Sequence, residues 1–147
     1  MAFPQEGETQ VLVDEAGMDD IAVRLAAQVE PPYVLYLEGD LGAGKTTFAR
    51  AFIRALGHKG SVKSPTYGLL EWYELGSVRV LHMDLYRIEN PEEIEFLGIA
   101  DLFDEKTILI AEWPEKGAGE LPPADLVVKF RHAGDRRKLR FEASPAA

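Results

Sequence analysis

The chain has 147 residues, 46% of them hydrophobic and 28% charged, which predicts one ordinary globular domain spanning residues 1–147. It contains no cysteine, so disulfides, thiolate metal sites and cysteine nucleophiles are excluded, and a reducing, cytoplasmic location is expected. The net charge of −9 disfavours non-specific binding to nucleic acid or to an anionic membrane. No apolar run approaches the length of a membrane span and the first residues do not resemble a signal peptide, so we expect no membrane association.

The first predicted elements are a strand, a helix and a second strand. Residues 9–13 have the composition of a short strand, and Asp14 or Asp19 is the expected cap of the next helix, whose apolar residues recur every four positions. Two consecutive prolines, at positions 31 and 32, end that helix. Residues 33–37 form a compact apolar run, which is typical of a strand that is buried on both faces.

A glycine-rich segment directly follows the second strand. Residues 39–47 read GDLGAGKTT and match, at each defined position, the loop that binds nucleotide phosphates between a strand and a helix. In such a loop the backbone N–H groups surround the phosphates, the lysine faces the terminal phosphates and the next hydroxyl binds Mg²⁺. The expected helix after the loop is amphipathic. The motif predicts that the nucleotide is bound by Gly39, Asp40, Leu41, Gly42, Ala43, Gly44, Lys45, Thr46 and Thr47.

A polar segment without a secondary-structure period leads from this helix to the next strand. It contains Ser64, Pro65, Thr66 and Tyr67, and it stands where a loop can cover the terminal phosphate. In that interpretation a hydroxyl of the segment senses phosphate or Mg²⁺. A simple proline turn is the alternative, and the spacing does not decide between the two.

Two acidic residues end later apolar strands. Residues 69–75 and 78–83 are predicted to form two strands joined by a glycine turn, and Asp84 closes the second. Residues 107–111 are the most apolar later strand, and Glu112 terminates it. Both acids are expected at the carboxyl edge of an α/β sheet, where its ligands bind, and at least one is expected to approach the metal. The spacing alone does not choose between them.

The last third of the chain predicts a helix start and a final hairpin. Residues 90–93 carry proline and acids in a first helical turn, and Ile94, Leu97 and Leu102 are expected to face inward. The hairpin is predicted from strands at residues 126–131 and 138–143 with a turn at residues 133–135. Six of the 16 Lys and Arg residues lie in this segment: Lys129, Arg131, Arg136, Arg137, Lys138 and Arg140. A solvated hairpin of alternating charge is the favoured interpretation, and a patch for phosphate or an acidic partner is the alternative.

Histidine and tryptophan give weaker signals. The histidines at positions 58, 82 and 132 are scattered, and we interpret them as structural or exposed residues rather than catalytic ones. Trp113 directly follows Glu112 and either packs in the core, which is favoured on general grounds, or borders the nucleotide. Strands that alternate with helices predict an α/β fold, in which the hairpins supply antiparallel members of the sheet.

Four motifs together resemble one known family. The segments GDLGAGKTT (residues 39–47), VKSPTY (residues 62–67), HMDLYR (residues 82–87) and EWP (residues 112–114) occur here in this order. The series resembles the bacterial tRNA threonylcarbamoyladenosine biosynthesis ATPase family, TsaE, also named YjeE. The block PEEIEFLGI (residues 91–99) is also similar to the family. One glycine loop would indicate only a superfamily, whereas four ordered motifs indicate this family.

The resemblance implies a fold and an activity. The fold is a P-loop NTPase fold with a mixed, mainly parallel central sheet flanked by helices and a C-terminal hairpin. The implied activity is weak hydrolysis of ATP, with ADP bound well and Mg²⁺ as the metal. The implied role is that of an accessory protein in forming threonylcarbamoyladenosine (t6A) beside the anticodon of tRNA. Its implied partner is the TsaD–TsaB heterodimer, which transfers the threonylcarbamoyl group and through which tRNA is contacted.

The resemblance also implies roles for single residues. Thr46 and Glu112 resemble the Mg²⁺ ligands of the family, and Trp113 is similar to its tryptophan beside the nucleotide. The implied catalytic residues are Lys45 in the phosphate cradle, Asp84 as an acid near the nucleotide or its metal, and Thr66 as the switch threonine.

Three other functions were weighed from the sequence. A GTPase would read guanine with an Asn-Lys-x-Asp motif, but the one asparagine, Asn90, is followed by proline. A small P-loop kinase usually has an arginine-rich lid, which the segment between Asp84 and Glu112 does not supply. A non-catalytic module that uses ATP only to order a binding surface remains a third alternative.

Overall fold

The computed structural model describes Phe3, residues 7–60, Val62 and residues 70–143. The segment that contains Ser64 to Tyr67, with the predicted switch residue Thr66, lies outside the described residues. No helix in the described part of the chain is long and apolar enough to cross a membrane. The elements are, in chain order, β1 (Gly7–Val13), α1 (Glu15–Gln28), β2 (Tyr33–Gly39), α2 (Lys45–Ala55), β3 (Leu70–Leu75), β4 (Val78–Asp84), a 3-10 helix (Pro91–Leu97), α3 (Ile99–Leu102), β5 (Thr107–Glu112), a second 3-10 helix (Pro114–Gly117), β6 (Leu126–Ala133) and β7 (Arg136–Ala143).

The strands form one sheet in the order β1-β7-β6-β2-β5-β4-β3. The four central strands β6, β2, β5 and β4 are parallel neighbours, whereas β7 and β3 pair with antiparallel partners and β1 pairs antiparallel with β7. The predicted mixed, mainly parallel sheet with a C-terminal hairpin is therefore confirmed. Because β2, β4 and β5 are parallel, their carboxyl ends lie at one edge of the sheet.

Helices α1 and α2 cover one face of the sheet. The residue before helix α1, Asp14, accepts a hydrogen bond on its side chain from the Gly17 N–H at 2.8 Å, so Asp14 rather than Asp19 is the cap. In α2, Phe48 and Phe52 stand one helical turn apart on the stripe that faces the sheet. The large side chains buried on this side include Leu25, Leu35, Leu37, Phe48, Phe52, Ile53, Ile108 and Phe141.

The segments that follow β4 pack on the opposite face of the sheet, where they cover strands β2, β4 and β5. The helix start predicted at residues 90–93 is confirmed, and the segment Pro91–Leu97 forms a 3-10 helix. The side chain of Asn90 and that of Glu93 cap its start reciprocally, and Gly98 at φ +70° separates it from α3. The apolar residues buried on this side are Val34, Leu81, Met83, Leu85, Ile88, Ile94, Ile99 and Leu109, with Leu97 and Leu102 packed against them.

The outer face of the C-terminal hairpin carries exposed cations instead of an apolar layer. Side chains alternate along each strand, so the buried Phe130 and Leu139 place their neighbours on the side away from the helices. We call this surface the basic face and define it by Lys129, Arg131, Lys138 and Arg140. Lys129 stands opposite Arg140 in the register and Arg131 opposite Lys138, so like charges face each other across both pairs.

The hairpin turn is shorter than predicted. Ala133 pairs with Arg136 as the last ladder pair, so Gly134 and Asp135 alone form the turn, with Gly134 at φ +66°. On the basic face, Lys129 forms an ion pair with Glu142 at 2.8 Å. The four cations and Gln10 line a shallow depression of about 200 Å³.

Candidate functional site

The glycine-rich loop joins the end of β2 to the start of α2 and packs tightly against its surroundings. Gly39 has φ +153°, and a Cβ atom there would lie 2.7 Å from the carbonyl oxygen of Phe130. Gly44 has φ +109°, and a Cβ atom there would lie 2.8 Å from the Met18 Cε atom. Both positions therefore require glycine. Because no side chain caps the start of α2, its first N–H groups remain available to an anion.

Lys45, the first residue of α2, is only 5% exposed. Its ammonium group donates to the carbonyl oxygens of Gly39 and Asp40, the latter at 3.1 Å, and lies 4.2 Å from the centre of the Trp113 ring. Burial lowers the pKa of Lys45, and the nearby carboxylates of Glu112 and Asp84 oppose that shift. A phosphate oxygen would be a stronger partner for this cation than the neutral carbonyls that it contacts here.

Glu112 links three elements of the site. One carboxylate oxygen, Oε1, accepts a hydrogen bond from the Thr46 hydroxyl at 2.8 Å. The other, Oε2, lies 2.7 Å from the Nε2 atom of His82. Glu112 and His82 are both buried, at 2% and 0% exposure. Glu112, the last residue of β5, thus contacts both α2 and β4 through its side chain.

Asp84 and Glu112 lie at the same level of the sheet edge. They are the last residues of β4 and β5, and the parallel register places them directly opposite each other. The Asp84 Oδ1 atom accepts a hydrogen bond from the Tyr86 N–H at 3.0 Å. Burial raises the pKa of Asp84, and the negative charge of Glu112 adds to that shift. The two acids that the sequence left as alternatives are therefore neighbours in one site.

A pocket of about 180 Å³ collects most of the predicted residues. Its lining consists of Leu41, Gly42, Gly44, Lys45, Thr46, Thr47, Asp84, Glu112 and Trp113. Gly39, Asp40 and Ala43 belong to the loop but lie outside this lining, and they contribute through their backbone: Gly39 and Asp40 accept from Lys45, and the Ala43 N–H donates to Asp40.

The donor set fits Mg²⁺ bound together with a nucleotide. Among the residues that the structure describes, no cluster of three or more His, Cys, Asp and Glu side chains could hold a metal ion alone. Mg²⁺ seldom uses such a cage and is usually held by one or two carboxylates together with phosphates and water. The Thr46 hydroxyl and the Glu112 carboxylate are hydrogen-bonded at 2.8 Å beside the N-terminus of α2, where the free N–H groups attract anions. The chemistry of these residues matches that requirement.

Trp113 packs in the core, as the favoured interpretation expects, and it also lines the pocket that contains Lys45. Its side chain packs against the second apolar layer, and its ring faces the Lys45 ammonium group as well. The ring also lies 5.1 Å from that of Tyr86, centre to centre. Its backbone has φ +58°, a left-handed conformation that is unusual for a bulky residue and that occurs mostly where function maintains it.

The sequence missed the role of Arg137. Its guanidinium donates to the carbonyl oxygen of Ala43 at 3.2 Å and approaches that of Gly42 at 3.5 Å. A second pocket of about 170 Å³ lies here and shares three loop residues with the first. Its lining consists of Glu15, Met18, Gly42, Gly44, Thr47, Asp135 and Arg137. The alternation of side chains along a strand could have indicated this contact, because it places Arg137 on the opposite side from the basic face, towards the loop.

His82 is interpreted from the sequence as structural or exposed, and the sequence does not predict its contact with Glu112. It is buried, and it contacts Glu112 directly. The available signal was its position two residues before Asp84 in the same strand, which places both side chains on one face.

Comparisons with known proteins identify the family of this chain. Residues 12–139 match the family described as "Threonylcarbamoyl adenosine biosynthesis protein TsaE". The tRNA threonylcarbamoyladenosine biosynthesis protein TsaE of Haemophilus influenzae is 43% identical, over 94% of this chain and 90% of its own length. The protein of the same name from Bacillus subtilis is 40% identical, over 84% and 77%.

A solved structure gives the same result for the fold. YdiB of Bacillus subtilis has a TM-score of 0.77 and 32% sequence identity to this chain, and the match covers 93% of this chain and 86% of that one. The expected α/β P-loop fold and the resemblance carried by the four motifs are both confirmed. The chain belongs to the TsaE family of tRNA threonylcarbamoyladenosine biosynthesis proteins.

Proposed function

We propose that this chain is an ATP-binding, weakly ATP-hydrolysing accessory protein of t6A formation in tRNA. In this proposal it acts in the cytoplasm with the TsaD–TsaB heterodimer, which transfers the threonylcarbamoyl group and holds the tRNA. The observation that carries the proposal is the convergence of the Lys45 ammonium, the Thr46 hydroxyl and the Glu112 carboxylate in one pocket at the start of α2.

The two pockets around the loop divide the nucleotide between them. The phosphates of ATP or ADP occupy the pocket that contains Lys45, where a buried cation and uncapped N–H groups favour anions. The nucleoside occupies the adjoining pocket, where Met18 supplies an apolar surface and Glu15 and Asp135 supply polar groups. Arg137 supports both by holding the loop carbonyls.

Thr46 and Glu112 are the proposed protein ligands of Mg²⁺. The bound ion neutralises charge on the phosphates during hydrolysis. Asp84 is the residue proposed for the hydrolytic step rather than for the metal shell. It lines the same pocket opposite Glu112, and burial raises its pKa, which favours proton acceptance. Thr66 is the proposed switch residue that distinguishes ATP from ADP.

Reconstitution of tRNA modification tests the proposal most directly. Unmodified tRNA, TsaD, TsaB and the activated threonylcarbamoyl donor are incubated with ATP, with or without this chain, and t6A is counted over several turnovers. We expect sustained formation of t6A with the wild-type chain and a strong loss with Lys45→Ala. Equal yields with and without the chain would contradict the accessory role. Full turnover with a non-hydrolysable ATP analogue would contradict the role of hydrolysis. The chain would then act as a switch that only binds the nucleotide.

The roles of the two acids are separable by metal dependence. Glu112→Gln is expected to raise the Mg²⁺ concentration needed for phosphate release, because it removes a negative charge beside a hard cation. Asp84→Asn is expected to reduce turnover more than nucleotide affinity. If the Mg²⁺ dependence changes with Asp84→Asn and not with Glu112→Gln, the two roles must be exchanged.

Partner binding tests the proposed switch. We expect capture of the TsaD–TsaB pair by this chain to differ between an ATP analogue and ADP, since only a contact that differs between the two nucleotides can shift a loop population. Thr66→Ala should weaken that difference. Capture that is the same with both nucleotides, or an unchanged response in Thr66→Ala, would remove this loop from the proposal.

A further inference from the structure

His82 is a buried polar residue whose environment does not explain its presence. It lies in the middle of β4, between Leu81 and Met83, and its side chain is fully buried. On the same face of the strand, Val80 packs in the core beneath α2 and Asp84 reaches the site. An apolar residue at position 82 would continue the core without any desolvation cost.

The ring satisfies only one of its two nitrogen atoms. The Nε2 atom lies 2.7 Å from Glu112 Oε2, whereas the Nδ1 atom is buried and has no hydrogen-bond partner among the described residues. A buried polar atom without a partner lowers the stability of the folded state. A histidine kept only for packing would gain nothing from this arrangement, so its contact with Glu112 is the feature that the structure explains.

The contact with His82 divides the carboxylate of Glu112 between two partners. Because a carboxylate only accepts hydrogen bonds, the ring proton of His82 lies on Nε2. Oε2 is thereby held on the side of β4, and Oε1 is left facing the Thr46 hydroxyl at 2.8 Å. Three residues from β4, β5 and α2 form one hydrogen-bonded chain in which Glu112 has a single orientation.

We propose that His82 is a positioning residue that fixes the Glu112 carboxylate so that Oε1 and the Thr46 hydroxyl face the bound divalent metal. This inference rests on the proposed function, in which Glu112 and Thr46 are the metal ligands. His82 does not touch the metal or the nucleotide. It removes the need to order the carboxylate when the metal arrives, and the loss of such an outer partner typically lowers metal affinity by about 10- to 100-fold.

Mn²⁺ binding in the presence of ADP tests the inference without measuring turnover. Mn²⁺ accepts the same carboxylate and hydroxyl ligands, and the decrease in the EPR signal of free Mn²⁺ beyond that caused by ADP alone gives its binding to the protein. We expect His82→Phe to weaken Mn²⁺ binding by about 10- to 100-fold, while ADP affinity measured in EDTA stays at the wild-type value. Weaker Mn²⁺ binding with unchanged ADP affinity would distinguish a positioning role from a general disruption of the site.

Two amide variants keep the test decisive if the phenylalanine variant folds poorly. The side-chain nitrogen of glutamine can replace Nε2, so His82→Gln should recover much of the Mn²⁺ affinity. The nitrogen of asparagine is closer to the Nδ1 position, so His82→Asn should not recover it. Thermal denaturation of each variant shows whether the sheet is intact. Equal Mn²⁺ affinity in the glutamine and asparagine variants would overturn the positioning role.

Glu112→Gln distinguishes failure of the inference from failure of the function on which it rests. If Glu112→Gln weakens Mn²⁺ binding and His82→Phe does not, the inference is overturned and the proposed metal ligand stands. If the wild-type protein does not bind Mn²⁺, or if Glu112→Gln binds it as well as the wild type does, the proposed metal site fails and the inference fails with it.

Discussion

Two regions of this molecule concentrate charged side chains under opposite conditions. At the edge of β4 and β5, Lys45 and Glu112 are 5% and 2% exposed. On the basic face, the side chains of Lys129 and Arg140 are 44% and 41% exposed and share one acidic neighbour, Glu142. Water solvates the second set whatever its neighbours are, whereas the first set depends on its few partners. Burial, rather than the number of charges, therefore decides what the removal of one charge does.

The largest expected effect comes from removing a buried cation. Lys45→Ala should weaken ATP and ADP binding by about 10- to 150-fold, because hydrogen bonds to a charged group contribute roughly 1.5–3 kcal/mol. Lys138→Ala on the basic face removes the same charge and should leave nucleotide affinity unchanged. Calorimetric titration of both variants makes the comparison. A folded Lys45→Ala protein with unchanged affinity would contradict the assignment of the phosphate loop.

A smaller effect is expected for Arg137, which lies in the same strand as part of the basic face but contacts the loop. Arg137→Ala should weaken nucleotide binding by about fivefold, or about 1 kcal/mol, because it releases the Ala43 carbonyl. Arg140→Ala, three residues further along β7, is the matched control and should have no effect on affinity. Equal affinities in the two variants would show that the hairpin does not support the loop.

The substitution Asp84→Asn should increase the stability of the fold slightly while it reduces the proposed activity. Burial raises its pKa above the ordinary value of 3.8, so the charged form is disfavoured in the folded state. Asp84→Asn keeps the acceptor for the Tyr86 N–H and should stabilise the protein in EDTA by less than about 1 kcal/mol. The gain should be present at neutral pH and fade as the pH falls through 3.8 and the aspartate becomes protonated in both states. Urea unfolding at pH 7 and pH 3.5 measures it, and a loss of stability at pH 7 would contradict the burial argument.

The smallest effect is expected on the basic face itself. Arg131 stands directly opposite Lys138, so Arg131→Gln should relieve repulsion and stabilise the fold by at most about 0.5 kcal/mol at low salt. Arg24→Gln, which breaks an exposed ion pair with Asp20, should change stability in the opposite direction by a similar amount. Urea unfolding at low salt and at 1 M salt, where both effects should disappear, tests the prediction. A large change in the free energy of unfolding of either variant would show that solvent exposure does not keep the contribution of these charges small.

Much of the fold followed from local patterns in the sequence. The glycine loop occurs where a buried strand meets an amphipathic helix, and both flanking elements, β2 and α2, form as expected. Asp84 and Glu112 were placed at one edge because each ended an apolar strand, and the parallel register of β4 and β5 makes them neighbours. These expectations needed only the strand assignments and the rule that ligands bind at the carboxyl edge.

Other features depend on which strands become neighbours, and that information is not local. His82 reaches Glu112 because β4 pairs with β5, and Arg137 reaches the loop because β7 folds back along β6, beside β2. The segment after Asn90 has helix-start signals, but Gly98 interrupts it and the packing against β4 and β5 stabilises tight 3-10 turns instead. The predicted switch residue Thr66 lies outside the described residues, so its role stays a prediction.

The position of Trp113 gives the protein an internal optical reporter. The chain has two tryptophans, and the other, Trp72, is 58% exposed on the edge strand β3, far along the sheet order from the loop strand β2. The Trp113 indole lies 4.2 Å from the Lys45 ammonium, so a nucleotide bound as proposed would draw that cation to its phosphates and change the electric field on the ring. In a Trp72→Phe protein all tryptophan emission therefore comes from the site, and its maximum should follow nucleotide occupancy without any attached dye.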